Sequence, residues 1–198
     1  CVFYDYLVDK SLLTYAKRAE KVFVGKRKGL HTLSQAELSR QLKNQALSGK
    51  NIVRLKGGDP FIFGRGAEEL EYLRSFHIEV EVIPGVSSAT AIPASLQIPL
   101  TGRGVSSSVA FLSAHTEDEL HNVKTQIDIP KTDTLVFLMG LTKLDVIVRS
   151  LLKSGWHQST PIILISKGTC LDQKIVSGTI LDIQAQLAKE KIDPPVLI

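Results

Sequence analysis

The chain is poor in the residues that would tie it to a metal, a membrane or an oxidising compartment. It has only two cysteines, Cys1 and Cys170, which make a poor disulfide framework or zinc site, so a reducing, cytoplasmic setting is expected. The five histidines, His31, His77, His115, His121 and His157, are scattered without ligand spacing, and no metal is predicted. No apolar run reaches the roughly 18 residues of a membrane span. Asp5 and Asp9 stand where a secretory leader would be basic and then apolar. Aromatics make up 6% of the chain and do not interleave with its basic stretch, which argues against single-stranded nucleic acid.

What is present fits an ordinary globular protein. Of 198 residues, 43% are hydrophobic and 22% charged, enough for one large domain or two small ones around a buried core. The net charge of +4 is concentrated: Lys17, Arg18, Lys21, Lys26, Arg27 and Lys28 are opposed only by Glu20. Such a patch suits an anionic partner, whether polycarboxylate, phosphate or nucleic acid. The first residues, "CVFYDYLV", and the last, "DPPVLI", both read as strands without a flanking turn. Further sequence is therefore expected beyond both ends.

Short β-rich runs alternate with amphipathic segments. In the first half the runs are "VFY" (2–4), "VFVG" (22–25), "NIVRL" (51–55) and "VEVI" (80–83). Ser34 and Glu37 form a capping box, Leu38, Leu42 and Ala46 recur on one helical face, and Gly49 supplies a stop. Glu68, Glu69 and Glu71 place anions in the first turn of another helix, with Leu70 and Leu73 on its apolar side. A short helix over 87–96, interrupted near Pro93, precedes a Pro- and Gly-rich connector. The pattern resumes with "SVAFLS" (108–113), "TLVFLM" (134–139), "PIILIS" (161–166) and "KIVSG" (174–178). Thr116 with Glu119, Thr142 with Asp145 and Thr179 with Asp182 are expected to cap helices. This alternation predicts two α/β domains, 1–98 and 99–198, each with a mainly parallel or mixed sheet.

The densest signal is "RLKGGDPFIFGRGAEE". A strand ending on Gly57-Gly58 lets a ligand approach the backbone without Cβ interference. Asp59 offers a carboxylate at the strand's carboxyl end, where open α/β sheets bind ligands. The same residues would equally serve a tight turn between strand and helix, and pattern alone does not choose between them.

This block resembles the signature of the uroporphyrinogen-III C-methyltransferase branch of the tetrapyrrole methylase family. Other segments agree in the family's order: "VFYDYLV", "VFVGKRKGLHTLSQAEL", "VIPGVSSATAIPASLQIPLTGR", "LVFLMG" and "ISKGT". The resemblance implies S-adenosyl-methionine bound in a cleft between two α/β domains, usually in a homodimer. It implies methyl transfer to two ring carbons of uroporphyrinogen III, giving precorrin-2 for sirohaem or cobalamin. By the same resemblance Asp5 matches a proton acceptor and Lys26 a proton donor. Gly57, Gly58, Asp59 and Ile62 match the cofactor loop. Ser87 and Ser88 stand where the family has a Thr-Ala type pair, and Met139 and Gly168 match cofactor contacts at strand ends. Arg65 and Arg103 are candidates for the substrate's carboxylates, whereas His31 could contact substrate or cap a turn. Two departures accompany the likeness. The family's first strand and its glycine loop are not in this sequence, and "PLTGRG" stands where the family has "PLTHR". A sister enzyme acting on a later corrinoid is the nearest alternative. A non-catalytic binder of an anionic tetrapyrrole or RNA is the alternative from another class.

Overall fold

The computed structural model describes residues 1–25, 33–114 and 126–198, which divide into two compact units, Cys1–Ser87 and Ser88–Ile198. Lys26, His31 and the cap expected at Thr116 lie outside the described residues, as do Arg27 and Lys28 of the basic stretch.

The first unit is built on a parallel sheet of β1 (Val2–Tyr4), β2 (Lys21–Phe23) and β3 (Val53–Leu55), in the order β2-β1-β3. Helix α1 (Gln35–Leu47) begins with the expected capping box, Ser34 Oγ accepting from Glu37 N while the Glu37 carboxylate accepts from Ser34 N. Its Leu38 and Leu42 pack on Phe3 and Val24 to form the core. Gly49, with φ 81°, takes the left-handed turn after α1 that a side chain would resist. Helix α2 (Gly66–Arg74) follows β3.

The run at 80–83 does not form the expected strand. Val80 and Val82 are half-buried while Glu79 and Glu81 are exposed, the alternation of extended chain. No strand among the described residues pairs with it, and a strand needs a partner as well as a pattern.

The second unit opens with α3 (Ser88–Ser95), which contains Pro93. Its sheet comprises β4 (Val109–Ser113), β5 (Thr134–Leu138), β6 (Pro161–Ser166), β7 (Lys174–Thr179) and β8 (Val196–Leu197), in the order β4-β5-β8-β6-β7. The alternation of side chains along each strand sorts two cores onto its two faces. Val136, Ile165 and Leu197 face Ala89 and Ile92 of α3. Phe137, Leu164 and Val196 pack with residues of α4 (Leu144–Lys153) and α5 (Ile183–Lys189). The architecture is thus two α/β units, one with a parallel sheet and one with a mixed sheet, as the sequence predicts.

Two of the expected caps form differently. Helix α4 is entered through a 3-10 turn over Leu141–Lys143 with no side-chain cap, and Asp145 pairs with Arg149 instead. At Thr179 the direction reverses: Asp182 Oδ1 accepts from Thr179 N and Oγ1, because a carboxylate is the stronger acceptor. The Gln186 amide, then the Thr179 donors, hold the Asp182 carboxyl down to about 2. A depressed carboxyl stabilises the fold above its unfolded value of 3.8 and loses that contribution as pH falls towards about 2. Asp182→Asn is therefore expected to flatten the acid limb of the stability profile between those values, which urea unfolding at stepped pH will read.

Candidate active site

Parallel sheets collect functional groups beyond the carboxyl ends of their strands. In the first unit Asp5 follows β1 and Lys56-Gly57-Gly58 follow β3. Phe3 is in register with Arg54, so the next residues on the same face are Asp5 and Lys56. The pairing continues past the strands, since Asp5 N donates to Leu55 O at 3.3 Å.

These side chains meet a carboxylate from α2. Arg54 Nη2 donates to Asp5 Oδ1 at 2.6 Å and its Nε to Glu69 Oε1 at 3.3 Å. Lys56 Nζ lies 3.2 and 3.3 Å from the two oxygens of Glu69, and 4.0 Å from Asp5 Oδ2. Gln35, at the start of α1, donates to Glu69 Oε1 at 2.9 Å. Two acids and two bases therefore balance in a partly buried group.

The glycine loop is wired internally. Gly57 packs against Leu7, where a Cβ would come within 2.9 Å of the Leu7 Cβ. Gly58 has φ 97°, a conformation that side chains rarely adopt. Both oxygens of Asp59 accept from backbone: Oδ1 from Phe61 N at 2.8 Å and Oδ2 from Gly85 N at 3.1 Å. Its carboxylate thus joins the loop to the segment at 84–86. Ile62 is exposed two residues beyond Pro60, and Ser87 closes the unit. Phe63 and Arg65 both have positive φ, a strain typical of functional loops. The Arg65 guanidinium meets Glu68 in a two-pronged pair at 2.8 and 2.7 Å. That hydrogen-bonding holds the Glu68 carboxyl below its usual range.

In the second unit β5 and β6 both run antiparallel to β8 and hence parallel to each other. Met139 and Gly168 follow them at the same sheet edge. Met139 is half-exposed, with φ 56°. A Cβ on Gly168 would fall 2.6 Å from Ile92 Cδ1, so helix α3, which starts at Ser88, needs glycine there. Arg103 is not brought to this edge. It is exposed in the turn closed by Gly102 and Ser106, and Ser106 Oγ meets Thr134 Oγ1 where β5 begins.

Arg54, Lys56 and Glu69 were not among the candidate site residues read from the sequence. A usable signal existed: Arg54 and Lys56, two apart, must share one face of their strand. Glu69 gave none, since an acid in a first helical turn is explained by the helix dipole alone. Among the described residues no group of three His, Cys, Asp or Glu could hold a metal ion, and no helix is long and apolar enough to cross a membrane.

Residues 1–184 match the family model of the Tetrapyrrole (Corrin/Porphyrin) Methylases. The whole chain is 43% identical to a uroporphyrinogen-III C-methyltransferase of Methanocaldococcus jannaschii, of which it covers 82%. It is 42% identical to a siroheme synthase of Pseudoalteromonas atlantica, spanning only 43% of that protein's length. The crystal structure of uroporphyrin-III C-methyltransferase from Thermus thermophilus, in complex with S-adenosyl homocysteine, superposes with a TM-score of 0.79 at 33% identity. That match covers 99% of this chain and 82% of the other.

Proposed function

The chain belongs to the tetrapyrrole (corrin/porphyrin) methylase family, and from that premise we propose that it is a uroporphyrinogen-III C-methyltransferase. It transfers methyl groups from S-adenosyl-methionine to two ring carbons of uroporphyrinogen III, giving precorrin-2. The juxtaposition of Asp5 with the Gly57-Gly58 loop, at the carboxyl ends of adjacent parallel strands, carries this reading. It puts an acid–base group beside a stretch of backbone open to a ligand.

The residues fit the methyl donor. Among the described residues, chain neighbours aside, only Val86 O comes within 4 Å of the Cβ position of Gly58, at 3.7 Å, so a ligand can approach that backbone closely. Gly57, Gly58, Ile62 and Ser87 are the residues that would hold it, and the family likeness adds Ser88, Met139 and Gly168. Asp59 contributes by fixing the loop's shape, since its two oxygens are already engaged. When bound, S-adenosyl-methionine supplies an electrophilic methyl group on a sulfonium sulfur. Asp5 accepts the proton that the macrocycle loses, and Lys26 supplies the one it gains. Arg65 binds substrate carboxylates, exchanging its Glu68 partner for them; the basic stretch from Lys17 adds long-range attraction for the polyanion. The setting is cytoplasmic and the assembly a homodimer, supported by the scarcity of cysteine and by the family likeness respectively.

The test is anaerobic incubation of the protein with methyl-labelled S-adenosyl-methionine and uroporphyrinogen III. Label in the macrocycle and a sirohydrochlorin-type absorbance after oxidation are expected. Absence of both overturns the assignment, and transfer only to a later corrinoid makes the chain a sister enzyme.

A further inference from the structure

We propose that Glu69 is a positioning residue that keeps one oxygen of Asp5 open, acting through Arg54 and Lys56; this rests on the methyltransferase reading given above. Glu69 is the most enclosed acid of the group, its side chain 6% exposed against 30% for Asp5. It accepts from Gln35, Arg54 and Lys56 together. A carboxylate so placed needs its cations, and the cations need it.

The arrangement gives the two oxygens of Asp5 different roles. Oδ1 is anchored by Arg54 Nη2 at 2.6 Å. The same guanidinium donates through Nε to Glu69 and through Nη1 to Leu55 O at 3.1 Å, so three directions of its planar fork are fixed. Among the described residues Oδ2 has only Lys56 Nζ nearby, at 4.0 Å, too far for a hydrogen bond. Lys56 is drawn off by Glu69, whose two oxygens it meets at 3.2 and 3.3 Å. With the Glu69 charge removed, both cations, whose side chains are 14% and 10% exposed, would keep Asp5 as the one acid within 4.0 Å among the described residues. Lys56 would then close on Oδ2 and occupy the oxygen that takes the proton.

Glu69→Gln keeps the shape and removes the charge. The expected result is a loss of roughly 10- to 100-fold in kcat, the scale of a misplaced catalytic group, with cofactor Kd unchanged. In an Asp5→Ala background the same substitution should have no further effect, since residues acting as a unit are non-additive. Adding Lys56→Met to Glu69→Gln removes the intruding cation and should restore part of kcat, which a purely structural role would not allow. Additive losses, or an unchanged kcat in Glu69→Gln, overturn the proposal. If the unsubstituted protein transfers no methyl, the functional reading falls, and a crystal structure of Glu69→Gln still decides the positioning. Lys56 Nζ within hydrogen-bond distance of Asp5 Oδ2 supports it, and Lys56 left where it now stands overturns it.

Discussion

Asp5→Ala will lower the rate of methyl transfer by about 10²- to 10⁴-fold, the range for a positioned general base, and leave cofactor affinity nearly unchanged. The separation follows from how β1 ends. The Asp5 side chain turns to Arg54 and Lys56 on the helix-covered face, whereas the glycine loop is seated on Leu7 through Gly57. Truncating the carboxylate leaves that seat intact, and the backbone bond from Asp5 N to Leu55 O remains. Nor does it strand a buried charge, because Arg54 keeps Glu69 as partner, so the protein should fold with little change in Tm. Asp5→Asn, which keeps the shape but not the basicity, should lose nearly as much turnover. The measurements are labelled methyl transfer for kcat and isothermal titration with S-adenosyl homocysteine for Kd. A matched fall in both would show that Asp5 supports the loop and does not handle protons.

The sequence singles out Asp5 as a candidate, but not its surroundings. Strand and helix runs could be read because burial imposes a period on them: Leu38 and Leu42 of α1, and the alternation around Val136 and Phe137, follow their cores. Topology left no such trace. That Val196-Leu197 enters between β5 and β6, antiparallel to both, depends on partners distant along the chain. The extended run at 80–83 shows the converse, a strand pattern without a partner among the described residues. Within the site, "GGDP" announced a special backbone through its composition. It could not announce that the Asp59 carboxylate would be spent on Gly85 N, 26 residues later. Glu69 was hidden for a different reason, since a first-turn acid has a sufficient local explanation. The boundary between units was also indistinct, because the helix at Ser88–Ser95 precedes the Pro- and Gly-rich segment that looks like a linker, yet packs in the second unit.

Gly85→Ala will weaken cofactor binding by roughly tenfold or more and destabilise the fold by about 1–3 kcal/mol, the range for forcing a methyl group into packed structure. A Cβ built on Gly85 falls 2.5 Å from Gly58 O, 3.0 Å from Gly58 C and 3.1 Å from Asp59 Cα. These are backbone atoms, so no rotation of a side chain can make room. The segment at 84–86 must move away from the glycine loop, and the bond from Gly85 N to Asp59 Oδ2, already 3.1 Å long, is the first contact to break. Among the described residues the Asp59 carboxylate would then keep only Phe61 N, a local bond that does not fix the loop against the rest of the unit. Gly58, at φ 97°, would lose the neighbour that constrains it, and its backbone would no longer be preorganised for a ligand. Gly49→Ala supplies the control. Gly49 also has positive φ, 81°, but among the described residues, chain neighbours aside, nothing lies within 4 Å of its Cβ position. That substitution should destabilise by about 1–2 kcal/mol, the strain of a left-handed non-glycine residue, with Kd for S-adenosyl homocysteine unmoved. If Gly85→Ala shows only the stability loss seen for Gly49→Ala, with binding intact, then the loop at Gly57-Gly58 does not hold the cofactor.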